Sequence, residues 1–319
     1  MAGTTFSLTA PDAQTVSFAS DCFGWDTPRE MQKTGDQWTF SANLPADVRM
    51  EYQFVVDGKH TLDPGAPSID NGLGGRNSVF QGPEYTVDVL DHTPAKPMRR
   101  LVIRVSGHAA ERDVVIYAPR GPYENLPLVV YGDGHDYETR VRPQNILQNL
   151  FEAGRVPPCI LVLVPPVQRM GEYWKRIQAY EQFLAEDVLP EVRVWTKATE
   201  DPERVFVGGA SLGGHIALRL VQNRPDVFAG GVHSQSGAFW ASPGAIARSA
   251  LKRIPESTRL FFDWGSYEGV LTDANTRLVE TLERLERPVP TLVTNEGHTW
   301  SAWRRRFTPG IEHLLADLR

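Results

Sequence analysis

The segment Val207-Gly208-Gly209-Ala210-Ser211-Leu212-Gly213-Gly214 holds a serine between glycines in the pattern Gly-x-Ser-x-Gly. In a chain with 27 glycines the pattern alone is weak. Its flanks make it informative. The apolar run Arg204-Val205-Phe206-Val207 reads as a strand, and Ile216-Ala217-Leu218-Arg219-Leu220 reads as a helix. A serine on a tight strand-to-helix turn has its hydroxyl projected from the sheet edge, with the helix N-terminus supplying positive potential where an oxyanion would form. The competing reading is a glycine-rich phosphate loop or a plain turn. The context favours Ser211 as a nucleophile.

A serine hydroxyl needs a base, and on this kind of turn the chain order is serine, then acid, then histidine. Of eight histidines, His298 follows the last strand-like run, in Asn295-Glu296-Gly297-His298-Thr299-Trp300. It is therefore the expected base. His215 lies one turn along the elbow helix and is expected to pack. His233 and His135 fall near proposed strand ends and are candidates to touch a pocket. The acid should follow the strand Arg259 to Phe262. Asp263 is still nearly in that strand, and Asp273 reads as the N-cap of the next helix. Glu268, mid-loop, is the preferred third member, with a Ser–His dyad as the alternative.

Two further sets of groups belong with these. Backbone N–H donors for an oxyanion are expected from Leu212, after the serine, and from Asp133 and Gly134 in Tyr131-Gly132-Asp133-Gly134-His135-Asp136. Loops at proposed strand ends are rich in arginine and aromatic residues. Arg140, Tyr173, Trp174, Trp240, Trp300 and His135 are the candidates to line a mouth suited to a ring-shaped ligand. About half of such rim residues are expected simply to close the core.

The elements that must hold these groups are legible in outline. Continuous apolar runs at 114–117, 128–131, 160–164, 204–207, 231–233, 260–262 and 291–293 suit strands buried on both faces. Helical stretches alternate with them at about 143–153, 176–194, 212–222, 272–286 and 308–318. Such alternation predicts an α/β fold with a mostly parallel sheet wrapped by helices over residues 101–319, whose reactive groups gather at the carboxyl ends of the strands. Residues 1–88 are of different texture. Short β-branched and aromatic runs at 15–19, 37–40 and 50–56, with a turn signal at Asp57-Gly58, predict a small all-β sandwich. Residues 89–100, with two prolines and no apolar period, read as a linker.

Composition narrows the function further. With 41% hydrophobic and 23% charged residues in 319, the chain is globular. No apolar run reaches membrane-spanning length. A net charge of −6 argues against non-specific nucleic-acid binding. Cys22 and Cys159 lie far apart, suit a reducing compartment and give no metal-ligand spacing. The first ten residues hold neither a basic cluster nor an apolar core of a leader, so a cytoplasmic location is expected. No cofactor or metal is implied, and the sequence assigns no oligomeric state.

Residues 100–319 resemble the esterase D-like branch of the α/β-hydrolases, and most closely the enterochelin (ferric enterobactin) esterase-like group. The resemblance rests on Tyr131-Gly132-Asp133-Gly134, Phe183-Leu184-Ala185-Glu186-Asp187-Val188-Leu189-Pro190, Gly209-Ala210-Ser211-Leu212-Gly213-Gly214, Ser234-Gln235-Ser236-Gly237 and Gly297-His298-Thr299-Trp300. It implies a serine carboxylic-ester hydrolase with Glu268 at the acid position. Its partner would be a small-molecule ester: the trilactone of a catecholate siderophore, carried as the ferric complex, or an aryl ester. The alternatives are a feruloyl or acetyl carbohydrate esterase, and a binding protein with a retired hydrolase domain. The N-terminal module resembles an early-set, glycogen-binding-like immunoglobulin fold through Phe23-Gly24-Trp25, Leu62-Asp63-Pro64 and Arg76-Asn77-Ser78-Val79. Trp25 and Asn77 match two of that family's glucan contacts. Gln53 and His60 stand where a lysine and a second tryptophan are expected, which implies a structural module.

Overall fold

A computed structural model describes all residues except Met1, Leu73, Asp317 and Arg319. The chain divides into two compact units.

The first unit comprises residues 1–87 together with two segments from far along the chain, 265–269 and 293–302. Its strands are β1 (Ala2–Thr9), β2 (Val16–Ser20), β3 (Gly24–Glu30), β4 (Gln32–Thr34), β5 (Gln37–Leu44), β6 (Arg49–Val56), β7 (Lys59–Thr61), β8 (Ser68–Asp70) and β9 (Arg76–Gln81). They form one sheet in the order β1-β5-β4 and a second in the order β3-β2-β6-β9-β8, with β7 paired to β6. All pairings are antiparallel. The turn between β6 and β7 carries Asp57 at φ 46° and Gly58 at φ 80°, the two left-handed residues that a two-residue hairpin demands. Between the sheets lies an aromatic core: Phe18 packs 4.6 Å from Phe6, 4.9 Å from Phe40 and 5.1 Å from Tyr52. Each such pair contributes about 0.5–1.5 kcal/mol beyond its buried area.

Three of the four positions compared with glucan contacts, Gln53, His60 and Asn77, are bonded to one another. Gln53 Nε2 donates to Asn77 Oδ1, His60 Nδ1 lies 2.6 Å from Gln53 Oε1, and the buried Asn77 donates through Nδ2 to Glu51.

Asp21, just beyond β2, accepts the Glu51 N–H, while its Oδ2 is enclosed without a hydrogen-bond partner. Burial, reinforced by the Glu51 carboxylate, pushes its pKa up to about 8. The folded state then holds a proton that the unfolded chain has lost between about pH 4 and 8, so this residue lowers stability progressively as pH rises through that window. Asp21→Asn is expected to raise stability by about 1–3 kcal/mol near pH 8 and by little near pH 4. Denaturant titrations at the two pH values check this; a variant less stable than the parent near pH 8 would contradict it.

The second unit comprises residues 88–264, 270–292 and 303–319. Its elements begin with α1 (Val89–His92), a short helix within the stretch read as a linker. There follow β10 (Arg99–Val105), β11 (Arg112–Ala118), β12 (Leu128–Tyr131), α2 (Gly134–Asp136), α3 (Pro143–Glu152) and β13 (Ile160–Leu163). Then come α4 (Ile177–Gln182), α5 (Leu189–Thr196), β14 (Val205–Ala210), α6 (Leu212–Asn223), β15 (Gly231–Gln235) and α7 (Pro243–Arg253). The chain closes with β16 (Arg259–Gly265), α8 (Val270–Arg284), β17 (Thr291–Thr294) and α9 (Trp300–Leu315).

The sheet order is β10-β11-β13-β12-β14-β15-β16-β17. The β10–β11 and β11–β13 pairs are antiparallel, and the pairs from β13 through β16 are parallel. This is the mostly parallel, helix-wrapped sheet that the alternating runs predict. Strands β12, β13 and β14 are buried along their whole length, as parallel strands covered on both faces must be. Each fully buried Val or Leu there contributes on the order of 1.5–3 kcal/mol.

Three helices differ from the sequence reading, one in its existence and two in their starts. Helix α7 was not anticipated, because its inward positions are the small Ala247 and Ala250, which leave a faint apolar period. Helix α9 begins at Trp300 rather than near 308, and Pro309 lies inside it. Helix α8 begins at Val270, which puts Asp273 in its first turn and not at its N-cap. Among the described residues no helix is long and apolar enough to cross a membrane, and both cysteines are free thiols.

Candidate active site

Ser211 stands between β14 and α6 with φ 59° and ψ −118°. For a residue with a Cβ this backbone costs about 1–3 kcal/mol, so the surroundings must enforce it. They do so through the main chain. The Ser211 N–H donates to the Gln235 carbonyl at 2.8 Å, and the Ser211 carbonyl accepts from His215 and Ala238 at 3.1 and 3.0 Å. The glycines are required by close approach: a Cβ on Gly209 would fall 2.6 Å from the Gly213 backbone, and one on Gly214 would fall 2.6 Å from Ser234 Oγ. Leu212 is the first residue of α6, so its N–H opens the helix beside the serine.

Beneath the elbow lies a buried polar network that the sequence reading did not assemble. Asp263 is wholly buried; its carboxylate lies 2.7 Å from His233 Nε2 and 2.8 Å from Arg306 Nε. With Nε2 donating to Asp263, His233 Nδ1 accepts from the Tyr131 hydroxyl at 2.6 Å. Arg306 and Trp303 both donate to Ser236 Oγ, and Ser236 itself has φ 48°. The side chain of Gln235 accepts from Tyr137 Oη and donates to the Trp303 carbonyl. This network pins the end of β15, whose Gln235 carbonyl holds the serine's N–H. It also occupies Asp263, one of the carboxylates weighed as the acid, and it places His233 in the core rather than in a pocket. The signal in the sequence was a charge at the end of an apolar run, Leu260-Phe261-Phe262-Asp263, which needs a buried partner.

The loop after β12 is held just as closely. Asp133 adopts a left-handed conformation at φ 49°. Its buried carboxylate takes a two-pronged ion pair from Arg169, with Nε 2.7 Å from Oδ1 and Nη2 2.8 Å from Oδ2, and Arg169 also donates to the Ala210 carbonyl. Burial pushes the Asp133 pKa up despite the opposing pull of Arg169. The Asp133 N–H donates to the Tyr173 hydroxyl at 2.9 Å, and the Gly134 N–H donates to the Val164 carbonyl at 3.2 Å. Of the two N–H groups expected to face an oxyanion from this loop, Gly134 is thus engaged by the neighbouring strand. Asp133 is engaged by a side chain. Arg169→Met is expected to strand the Asp133 carboxylate and to destabilise the protein by about 1–3 kcal/mol, read as a lower denaturation midpoint. Unchanged stability would contradict the pairing.

The proposed rim residues separate. Tyr173 is fully buried and holds Asp133, so it is part of the core and not of a mouth. Trp240 is 47% exposed and stacks on Trp174 at 5.9 Å and 26°, while Trp174 in turn packs 5.3 Å from His215. His215 is buried, as expected, and burial pushes its pKa down to about 4, so it is neutral. Arg140 is half-buried and paired with Asp136, and His135 is exposed. A groove of about 1020 Å³ shares Trp174 with this aromatic shelf and is lined also by Arg219, Arg224 and Arg253; Ser211 does not line it.

In the first unit, the segments 265–269 and 293–302 carry the other two chemical groups. His298 Nδ1 lies 2.8 Å from Glu268 Oε2. The Glu268 side chain is fully buried, and the His298 side chain is 35% exposed. Glu268 Oε1 accepts the Gly265 N–H at 2.6 Å, which orients the carboxylate. A carboxylate at Nδ1 fixes the tautomer that leaves Nε2 with a lone pair. The carboxylate is thus shielded and the imidazole ring accessible. Trp300, half-buried, follows on the first turn of α9. Among the described residues, no group of three or more His, Cys, Asp or Glu side chains could hold a metal.

The mostly parallel, helix-flanked sheet is that of an α/β-hydrolase. Residues 108–314 match the model of the esterase family described as "Putative esterase", and the chain belongs to that family. It is 24% identical to the iron(III) enterobactin esterase of Escherichia coli K12 over 339 aligned residues, covering 91% of this chain and 83% of that one. The fold is similar to that of a ferric enterobactin esterase from Salmonella typhimurium, with a TM-score of 0.84, 20% identity and coverage of 99% and 94%. The feruloyl esterase module from Clostridium thermocellum is less similar, with a TM-score of 0.62, 16% identity and coverage of 81% and 98%. These similarities agree with the resemblance read from the sequence motifs.

Proposed function

We propose that this ester hydrolase works through an acyl-enzyme on Ser211, with His298 as general base and acid and Glu268 as the group that orients it. The observation that carries the reading is the Ser211 backbone at φ 59° on a strand–helix elbow. Supporting it are the His298–Glu268 pair and the sheet order, in which β14, β15, β16 and β17 are successive neighbours and Glu268 and His298 follow β16 and β17. Ser211 Oγ attacks the ester carbonyl as His298 Nε2 takes its proton. The tetrahedral oxyanion is met by the Leu212 N–H at the start of α6. Collapse expels the alkoxide, protonated by His298, and water then releases the acyl group by the same route.

The substrate we propose is an ester of a catecholate siderophore. The relatives that align over most of this chain carry that activity in their names, and the Trp174–Trp240 shelf offers stacking for a catechol ring. A hydroxycinnamoyl ester is the second reading, since the same shelf accommodates its ring and the feruloyl esterase module shares the fold. A substrate panel separates them. Faster turnover, by kcat/KM, of a catechol-serine lactone than of methyl ferulate is expected, and the reverse order would install the second reading.

A further inference from the structure

Strand β6 reads Arg49-Met50-Glu51-Tyr52-Gln53-Phe54-Val55-Val56. Its alternation sends Met50, Tyr52 and Phe54 into the aromatic core and should leave Arg49 and Glu51 on the solvent face. Both are instead only 4% exposed. What they bond to is the segment that carries His298. The Arg49 N–H donates to the Asn295 carbonyl at 3.1 Å, and Ser301 Oγ donates to Glu51 Oε1 at 3.2 Å. Glu51 is held for this by Arg49 Nη1 on Oε1 and by Asn77 Nδ2 on Oε2.

More bonds of the same kind surround the histidine. Asn295 Nδ2 donates to Asp47, and Ser266 Oγ lies 3.0 Å from Asn295 Oδ1, joining the loop of Glu268 to that of His298. Tyr85 donates to Glu296. Gly297 comes so close to Asp21 that a Cβ there would lie 2.6 Å from the Asp21 Cβ. The residues at 295, 296, 297 and 301 bracket His298, and each is tied to the sandwich.

From this we propose that Glu51 of the N-terminal module is a positioning residue for His298, acting through Ser301, so that the sandwich is the jig that sets the catalytic base. The proposal rests on the reading of His298 as the base of Ser211. It assigns the module a role in turnover rather than in ligand binding. The loop's geometry is delivered by groups at least 211 residues earlier in the chain, and misplacing a catalytic group by about 1 Å costs up to about 100-fold in rate.

The experiment compares the full-length protein with Glu51→Gln, Ser301→Ala, Ser301→Thr and Ser211→Ala. Hydrolysis of p-nitrophenyl butyrate and the rate constant for fluorophosphonate labelling are measured alongside thermal midpoints. Ser301→Ala removes a single bond and leaves Arg49, Glu51 and Asn77 paired, so it decides the matter if Glu51→Gln fails to fold. For Ser301→Ala we expect kcat and the labelling rate to fall together by roughly tenfold. KM should stay within about twofold, and Ser301→Thr, which restores a hydroxyl, should recover most of the loss. Folded variants with parental kcat and labelling rate, altered only in thermal midpoint, would overturn the proposal while leaving the serine reading intact. A parent protein that is not labelled, or a fully active Ser211→Ala variant, would overturn the serine reading, and the positioning role with it.

Discussion

Ser211→Ala is expected to lower kcat for ester hydrolysis by a factor on the order of 10⁶, with KM little changed. The size follows from what is lost. Without the hydroxyl there is no acyl-enzyme, and the remaining groups can only polarise the carbonyl and orient water, which leaves a modest residual rate. The fold should tolerate the change. The Ser211 N–H and carbonyl make the bonds to Gln235, His215 and Ala238, and alanine retains all three. Alanine also meets the same backbone strain as serine, so the thermal midpoint is expected to move little. Steady-state kinetics on the purified variant check this. A loss smaller than about tenfold would mean that water, or another residue, is the nucleophile.

Glu268→Gln is expected to lower kcat by about 10⁴, again with little effect on KM. The reason is a matter of which nitrogen carries the proton. Glu268 Oε1 accepts the Gly265 N–H, and a glutamine oxygen would keep that place. Its amide nitrogen would then face His298 Nδ1, where the carboxylate oxygen Oε2 now lies at 2.8 Å. An N–H aimed at Nδ1 turns that atom into an acceptor and moves the ring proton to Nε2. The base is then blocked at the atom that must take the serine proton. Because the geometry survives, the loss is chemical rather than structural, and the thermal midpoint should stay close to that of the parent. Activity within about tenfold of the parent would instead indicate a Ser–His dyad or an acid other than Glu268.

The parts of the proposed site that stand out in the sequence are those tied to local chain conformation. Ser211 was visible because a tight strand–helix turn needs glycines around it, and those glycines are adjacent in sequence. His298 and Glu268 stood out because each follows a strand-like run, although the run at 291–293, read as buried on both faces, is the largely exposed edge strand β17. The supports were not visible, because they join residues far apart in the chain. Nothing local couples Arg169 to Asp133, Arg306 to Asp263 or Glu51 to Ser301. The mouth was the hardest part to read. Tyr173 and Trp174 are neighbours in sequence with equal claims, yet one is a core residue and the other belongs to a shelf with Trp240. The same holds for the fold: the doubly buried strands were plain from their apolar runs, whereas α7 buries alanines and left almost no periodic signal.

The central claim is that the acyl group passes through Ser211. Its most direct test is to quench the wild-type enzyme in acid during turnover of an excess of p-nitrophenyl ester and to map the adduct by peptide mass spectrometry. The account predicts an acyl increment on the peptide containing Ser211, formed in step with a burst of p-nitrophenol and missing from Ser211→Ala. An increment borne by any other residue, or a burst that persists in Ser211→Ala, would contradict it.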